Sequence, residues 1–162
     1  MKRNSTNSKL SFDKKTLELL NLLEEEGRLS IRKIAKRLSM KPSSVFNRIK
    51  KLENEGIIEK YSAIVSREKI GYNVIGFVLV SYKKSVLSQE ELAEKLKKYN
   101  QILEIHIIAG QWDILLKIVE KDVKSLGEFI TKTLREIPEI DKTETLIVLK
   151  SIKENQNIKI LN

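Results

Sequence analysis

Leu29 to Ala63, LSIRKIAKRLSMKPSSVFNRIKKLENEGIIEKYSA, restricts the fold more than any other stretch of the chain. Ser30 is placed to cap a short helix whose apolar positions, Ile31, Ile34, Ala35 and Leu38, recur at helical spacing. Ser39, Met40 and Lys41 form a turn. Pro42 then suits the first position of a second helix, where its missing N–H costs nothing. In that helix Val45, Ile49 and Leu52 fall on one stripe. The opposite face carries Ser43, Ser44, Asn47, Lys50, Lys51 and Asn54, with Arg48 on its flank. Gly56 ends the helix, and Ile57, Ile58 and Tyr61 to Val65 read as strand. Helix, three-residue turn, helix, strand is the pattern of a winged helix-turn-helix, whose second helix enters the major groove. An ordinary helix pair with a solvated polar face has the same local pattern, so the remaining chain has to decide between them.

The charge is unevenly placed. Residues 1–65 hold 15 Lys/Arg against 8 Asp/Glu, and residues 66–162 hold 16 against 14. A basic half joined to a near-neutral half is expected when one half binds a polyanion and the other does not. The 162 residues allow one or two domains with a real core. No apolar run reaches the ~18 residues that a membrane span needs. The opening MKRNSTNSKLSF has basic residues with no apolar core behind them. It reads as a disordered basic arm rather than a secretory signal, and a cytoplasmic protein is expected. With no cysteine, disulfides, thiolate metal sites and Cys nucleophiles are excluded.

Upstream of the motif, Asp13 to Glu26 reads as a leucine-rich first helix that completes a three-helix core, with Gly27 ending it. Arg67 to Asn73 is a polar connection. We expect a DNA-binding domain over residues 1–65, a linker over 66–73 and a second domain over 74–162. In the second half the period changes. Val74 to Tyr82 is a strand, and Ser88 to Tyr99 a helix with a capping box formed by Ser88 and Glu91. Ile102 to Ala109 is a strand, Gly110 to Asp113 a turn, and Ile114 to Val119 a strand. Asp122 to Ile137 is a helix and Thr143 to Ile152 the last strand, with a short IKIL segment beyond it that is able to add a further small strand. The order β-α-β-β-α-β is that of a ferredoxin-like sandwich, so the expected class is α+β. Two helices cover one sheet face. The other is apolar too, since Val78 and Val80 alternate with Phe77 and Leu79, and it is expected to meet its copy in a second subunit.

Catalytic signals are weak. His106 is the only histidine, and a lone strand His is more often a packing or polar-face residue than a base or ligand. No HExxH, phosphate-loop or nucleophile-elbow pattern occurs. Gly71 and Gly76, read as lying at strand edges, make no dinucleotide fingerprint. No cofactor, metal site or catalytic residue is expected. Trp112 is placed in a turn, where aromatics serve pockets and interfaces as well as simple packing.

These residues resemble the feast/famine regulators, the leucine- and asparagine-responsive Lrp/AsnC family, from Asp13 to about Ile160. The family's opening Asp and its DGRIS junction are matched by Asp13 and Glu26-Gly27-Arg28-Leu29-Ser30. Its LSPxxxxxRxxxLExxGxIxxYxA pattern is matched by Met40-Lys41-Pro42, Arg48, Leu52-Glu53, Gly56, Ile58, Tyr61 and Ala63. Its H/Y-x-V-x-G-D-x-D-Y-L-L-K pattern is matched by His106 to Lys117, HIIAGQWDILLK, and its T-x-T pair by Thr143 and Thr145.

The resemblance implies a transcriptional regulator that binds a pseudo-palindromic operator. It also implies a C-terminal module that pairs subunits into dimers and octamers and senses an effector, commonly an amino acid, near the turn between its second and third strands. Lys41, Ser43, Ser44, Asn47, Arg48, Lys50 and Lys51 are the DNA-binding candidates. Ser43, Ser44 and Asn47 are expected to read bases, and the basic residues to hold phosphates. Gly110, Gln111, Trp112, Asp113, Thr143 and Thr145 are the effector candidates, with Asp113 expected to hold an ammonium group. In the alternative reading of that turn, Trp112 only cements an octamer. Two departures stand out. Lys41 replaces the family's capping Ser, a loss of roughly 1 kcal/mol of capping, and Gln111 replaces its acid. The competing readings are a regulator without an effector and a tetrapyrrole (sirohaem) decarboxylase subunit of the same fold. The decarboxylase has no need of the basic outer face of the second helix.

Overall fold

The computed structural model describes residues 12–83 and 87–154. Its compact units part between Ile64 and Val65. The expected basic arm and the IKIL segment lie outside the described residues.

The first unit holds α1 (Lys14–Glu25), α2 (Ile31–Leu38) and α3 (Pro42–Asn54). Each helix starts where a side chain or ring suits its first turn. Asp13 accepts from the Thr16 N–H at 2.7 Å, and Ser30 from the Lys33 N–H at 3.4 Å. Pro42 opens α3, and Lys41 before it makes no side-chain cap bond, as its chemistry requires. The tight link between α2 and α3 needs a left-handed residue, which is Ser39 at φ 51°. Leu19, Leu20, Ile34, Ala35, Leu38, Val45 and Leu52 form the core, with Ile31, Ile49, Ile57 and Ile58 packed against it.

The strand expected after α3 does not form. The N–H groups of Ile57 and Ile58 turn back onto the Leu52 carbonyl, at 2.9 and 3.2 Å, and close the helix end beyond Gly56. Residues 59–66 carry no regular structure. β-Branched residues make a strand only where a second strand takes their N–H and C=O groups, and no described residue supplies one.

The second unit opens with a single turn at Glu68–Ile70, closed by Gly71 at φ 91°. Then come β1 (Val74–Tyr82), α4 (Gln89–Leu96), β2 (Ile102–Ile107), β3 (Ile114–Glu120), α5 (Val123–Phe129) and β4 (Ile140–Ile147). The strands lie in the order β2-β3-β1-β4, every pair antiparallel, which is the ferredoxin-like arrangement. The capping box on α4 is complete. Ser88 Oγ accepts from the Glu91 N–H at 3.2 Å, and Glu91 accepts from the Ser88 N–H at 2.8 Å. α5 is shorter than the periodicity suggested and widens into a π turn over Ile130–Leu134.

One sheet face buries Val78, Val80, Ile114, Leu116 and Ile118 against Leu92, Leu96, Leu126, Phe129 and Leu134. Gly76 lies inside β1, not at its edge. A Cβ there would stand 3.0 Å from Leu126, so the missing side chain lets α5 approach the sheet. The last strand begins three residues earlier than expected and stops five earlier. Its register follows β1, with Ile140 opposite Tyr82 and Ile147 opposite Gly76. The Val148 N–H takes the Ile75 carbonyl as the last bond. Past that point no ladder pairing with β1 is made, and Leu149 and Ile152 stand 97% and 84% exposed.

Candidate nucleic-acid interface and effector turn

The core stripe fixes which side of α3 faces solvent. With Val45 and Leu52 buried, Ser43, Ser44, Asn47, Lys50 and Lys51 are all exposed, as is Lys41 ahead of the helix. Lys50 meets Glu53 at 2.8 Å and Lys51 meets Glu55 at 3.8 Å. Exposed pairs one turn apart contribute a few tenths of a kcal/mol, so these cations are readily released to a phosphate. At the helix start the Ser44 and Val45 N–H groups bond back to the Lys41 carbonyl, and Pro42 has no N–H. The first turn thus presents hydroxyls and a lysine.

Arg48 behaves differently from the other candidates. Its guanidinium bonds the Asp13 carboxylate at 2.8 Å and also reaches the Thr16 hydroxyl, tying α3 to the capped end of α1. Arg48, then Thr16, hold the Asp13 carboxyl well below the ordinary carboxylate range. On the outer face itself stands a residue that the periodicity left unassigned. Phe46 is 45% exposed, although apolar. Its signal in the sequence was its phase, three residues after Ser43 and four before Lys50.

In the second unit the turn between β2 and β3 is closed by the Ile108 N–H on the Asp113 carbonyl, at 2.9 Å. Gly110 takes φ 149°, Gln111 is exposed, and Trp112 is half-buried. Asp113 is a fastening residue. One carboxylate oxygen accepts from the Tyr82 N–H at 3.2 Å and the other from Gln89 Nε2 at 3.0 Å, while its own N–H donates to the Val80 carbonyl. The carboxylate joins the end of β1 to the start of α4, and its oxygens already have donors.

The threonines are not brought beside the turn. Thr143 pairs with Val80 and Thr145 with Val78, so β1 separates both from β3. Two strand spacings amount to about 10 Å. Thr143 Oγ1 accepts from Arg135 Nε at 3.1 Å. His106 lies on the exposed side of β2, 3.3 Å from Glu104, which also accepts from Lys117 at 3.1 Å. Burial works against Glu104's charge, yet Lys117 and His106 hold its carboxyl below the ordinary value. Among the described residues no group of three His, Cys, Asp or Glu is arranged to hold a metal ion. No helix there is long and apolar enough to cross a membrane.

Two family models match the chain: a winged helix-turn-helix DNA-binding domain over residues 12–59, and the Lrp/AsnC ligand binding domain over residues 75–158. The HTH-type transcriptional regulator FL11 of Pyrococcus abyssi is 33% identical over 94% of this chain and 99% of its own length. The transcriptional regulator NMB0573 of Neisseria meningitidis, solved in complex with L-Met, superposes with a TM-score of 0.87 at 28% identity. That match covers 91% of this chain and 96% of the other. AsnC of E. coli gives 0.85 at 25% identity, over 93% and 99%. None of these similarities lends support to the decarboxylase reading.

Proposed function

This chain belongs to the Lrp/AsnC family of DNA-binding transcriptional regulators, and from that premise we propose how its parts divide the work. Residues 1–65 form the operator-binding domain, 66–73 the connection, and 74–162 the assembly and effector domain. The protein acts in the cytoplasm as a regulator, not an enzyme. Two copies of α3 in a homodimer enter major grooves about one helical turn apart on a pseudo-palindromic site.

The observation that carries this reading is the exposed stripe of hydroxyl, amide and ammonium groups on α3, backed by a fully apolar core side. Ser43, Ser44 and Asn47 read base edges. Lys41, Lys50 and Lys51 hold phosphates. Arg48, engaged with Asp13, chiefly orients the helix. The test is selection of bound duplexes from a random library with the full chain. A two-fold consensus is expected, and recovery of no consensus would sink the proposal.

The effector is an amino acid bound at the Gly110–Trp112 turn. Trp112 forms the apolar wall, and the Gln111 side-chain carbonyl together with turn carbonyls accepts from the ammonium group. This is supported by the family's ligand-binding module and by the L-Met complex of the similar Neisseria regulator. The helix-free sheet face, with Phe77, Leu79 and Leu115, joins subunits, and dimers build an octamer around the turns. Thermal-shift screening of the twenty amino acids checks the effector. A millimolar hit weakened by Trp112→Ala is expected, and no hit with any of them would leave an effector-free regulator as the better reading.

A further inference from the structure

We infer that Phe46 is a specificity residue that reads a thymine methyl group in the major groove. The inference rests on the reading of α3 as the helix that enters the groove. Ser43, Phe46, Asn47 and Lys50 stand at i, i+3, i+4 and i+7, so they form one stripe along the outer face of α3. Phe46 is 45% exposed, and among the described residues no hydrogen bond, ring contact or core cluster of the first unit includes it. The buried positions Val45 and Leu52 lie a quarter turn or more round the helix from it. Nearly half of this apolar residue stays in water beside a serine, an amide and a lysine, and folding does not cover that part. It gains only when a partner removes it from water.

In the major groove the groups beside Phe46 suit hydrogen-bonding edges, and the apolar feature there is the C5 methyl of thymine. Cytosine lacks that methyl, as does uracil. Phe46 therefore discriminates T·A from C·G at one step of each half-site, next to the base that Asn47 reads. The worth of one methyl removed from water sets the size of the effect, about four-fold in affinity per half-site.

The test uses the full chain and the duplex it selects from a random library, with each thymine replaced in turn by deoxyuridine. One thymine per half-site is expected to matter. Its replacement weakens the native protein about four-fold, and about sixteen-fold when both half-sites are changed. Phe46→Ala is expected to bind the thymine and uracil duplexes equally, and Phe46→Leu to retain part of the difference. Thermal melting of both variants checks that they fold. If no uracil substitution weakens the native protein, or if the same penalty persists in folded Phe46→Ala, the inference is wrong. A change of oligomeric state in Phe46→Ala would also overturn it, by making the ring a subunit contact. If Asn47→Ala alters the selected sequence while Phe46→Ala does not, only the methyl reading fails. If neither alters it, the assignment of α3 to the groove fails as well.

Discussion

The outer face of α3 and the turn between β2 and β3 carry similar polar groups, yet the fold uses them in opposite ways. On α3, the side chains of Ser43, Ser44 and Asn47 make no hydrogen bond among the described residues, and Lys50 and Lys51 make only surface pairs. At the turn, Asp113 holds two elements together through both carboxylate oxygens. A polar group left over by folding is available to a ligand at little cost. One that satisfies internal donors is held in place by them, and a carboxylate so held keeps only its remaining lone pairs for a ligand. At the turn, Gly110, Gln111 and Trp112 have no such structural duty among the described residues, whereas Asp113 has one.

Replacing Asp113 with Ala tests that contrast most strongly. The Tyr82 N–H and Gln89 amide lose their acceptor, and an orphaned, partly buried donor costs about 1–3 kcal/mol. We expect a clear drop in the denaturation midpoint with no ligand present. Unchanged stability would show that these bonds do not fasten β1 to α4. Asn47→Ala is the counterpart on α3. Stability should hold within about 0.5 kcal/mol, as for surface positions generally, while discrimination at one base pair per half-site falls by about 1–2 kcal/mol. Selection with the variant protein would reveal this as one relaxed position. A uniform loss across all sequences would instead make Asn47 a backbone contact.

Lys51→Ala should have a smaller effect, equal on every sequence. One phosphate contact per subunit is removed, so the slope of log affinity against log salt should flatten by about 0.9 per subunit. Arg48→Ala sharpens the comparison within α3. Because Arg48 is engaged with Asp13, its loss should lower stability and leave the salt slope nearly unchanged. A slope change equal to that of Lys51→Ala would show that Arg48 releases Asp13 when DNA binds.

Much of this was legible because local patterns act locally. Helical spacing in Leu29–Leu38 and Pro42–Leu52, caps at Asp13, Ser30 and Ser88, and the strand–helix order of the second half depend on neighbours within a few residues. Contacts between residues far apart in the chain were not legible in this way. Arg48 finds Asp13 35 positions earlier, and Asp113 finds Tyr82 31 positions earlier. Residues 61–65 have strand composition and no strand beside them. β4 begins and ends where β1 permits, whereas the apolar run reaches Ile152. Phe46 belongs to neither set, since its phase falls between the apolar stripe of Val45, Ile49 and Leu52 and the polar face.

The smallest expected effect follows from the Asp13–Arg48 tie and is one of pH. Folding lowers the Asp13 carboxyl far below its ordinary value of 3.8, first through Arg48 and then through Thr16. A carboxylate with a depressed folded value contributes stability that is complete above the unfolded value. That contribution is lost as pH falls toward the folded one. The first unit should therefore be indifferent to pH near neutrality and loosen as acid is added below about pH 4. Glu26 beside Arg37 and Glu53 beside Lys50 shift in the same direction and add to the trend. Asp13→Asn separates the charge from the cap, since an asparagine oxygen still accepts from the Thr16 N–H. Amide exchange in α1, followed from pH 6 to pH 3, reads this end of the unit without interference from Glu104, Asp122 and Glu139 in the second. Protection should fall with acid in the native protein and fall less steeply in Asp13→Asn. Parallel curves would mean that the ion pair does not hold α3 against α1, and would return Arg48 to the phosphate-binding set.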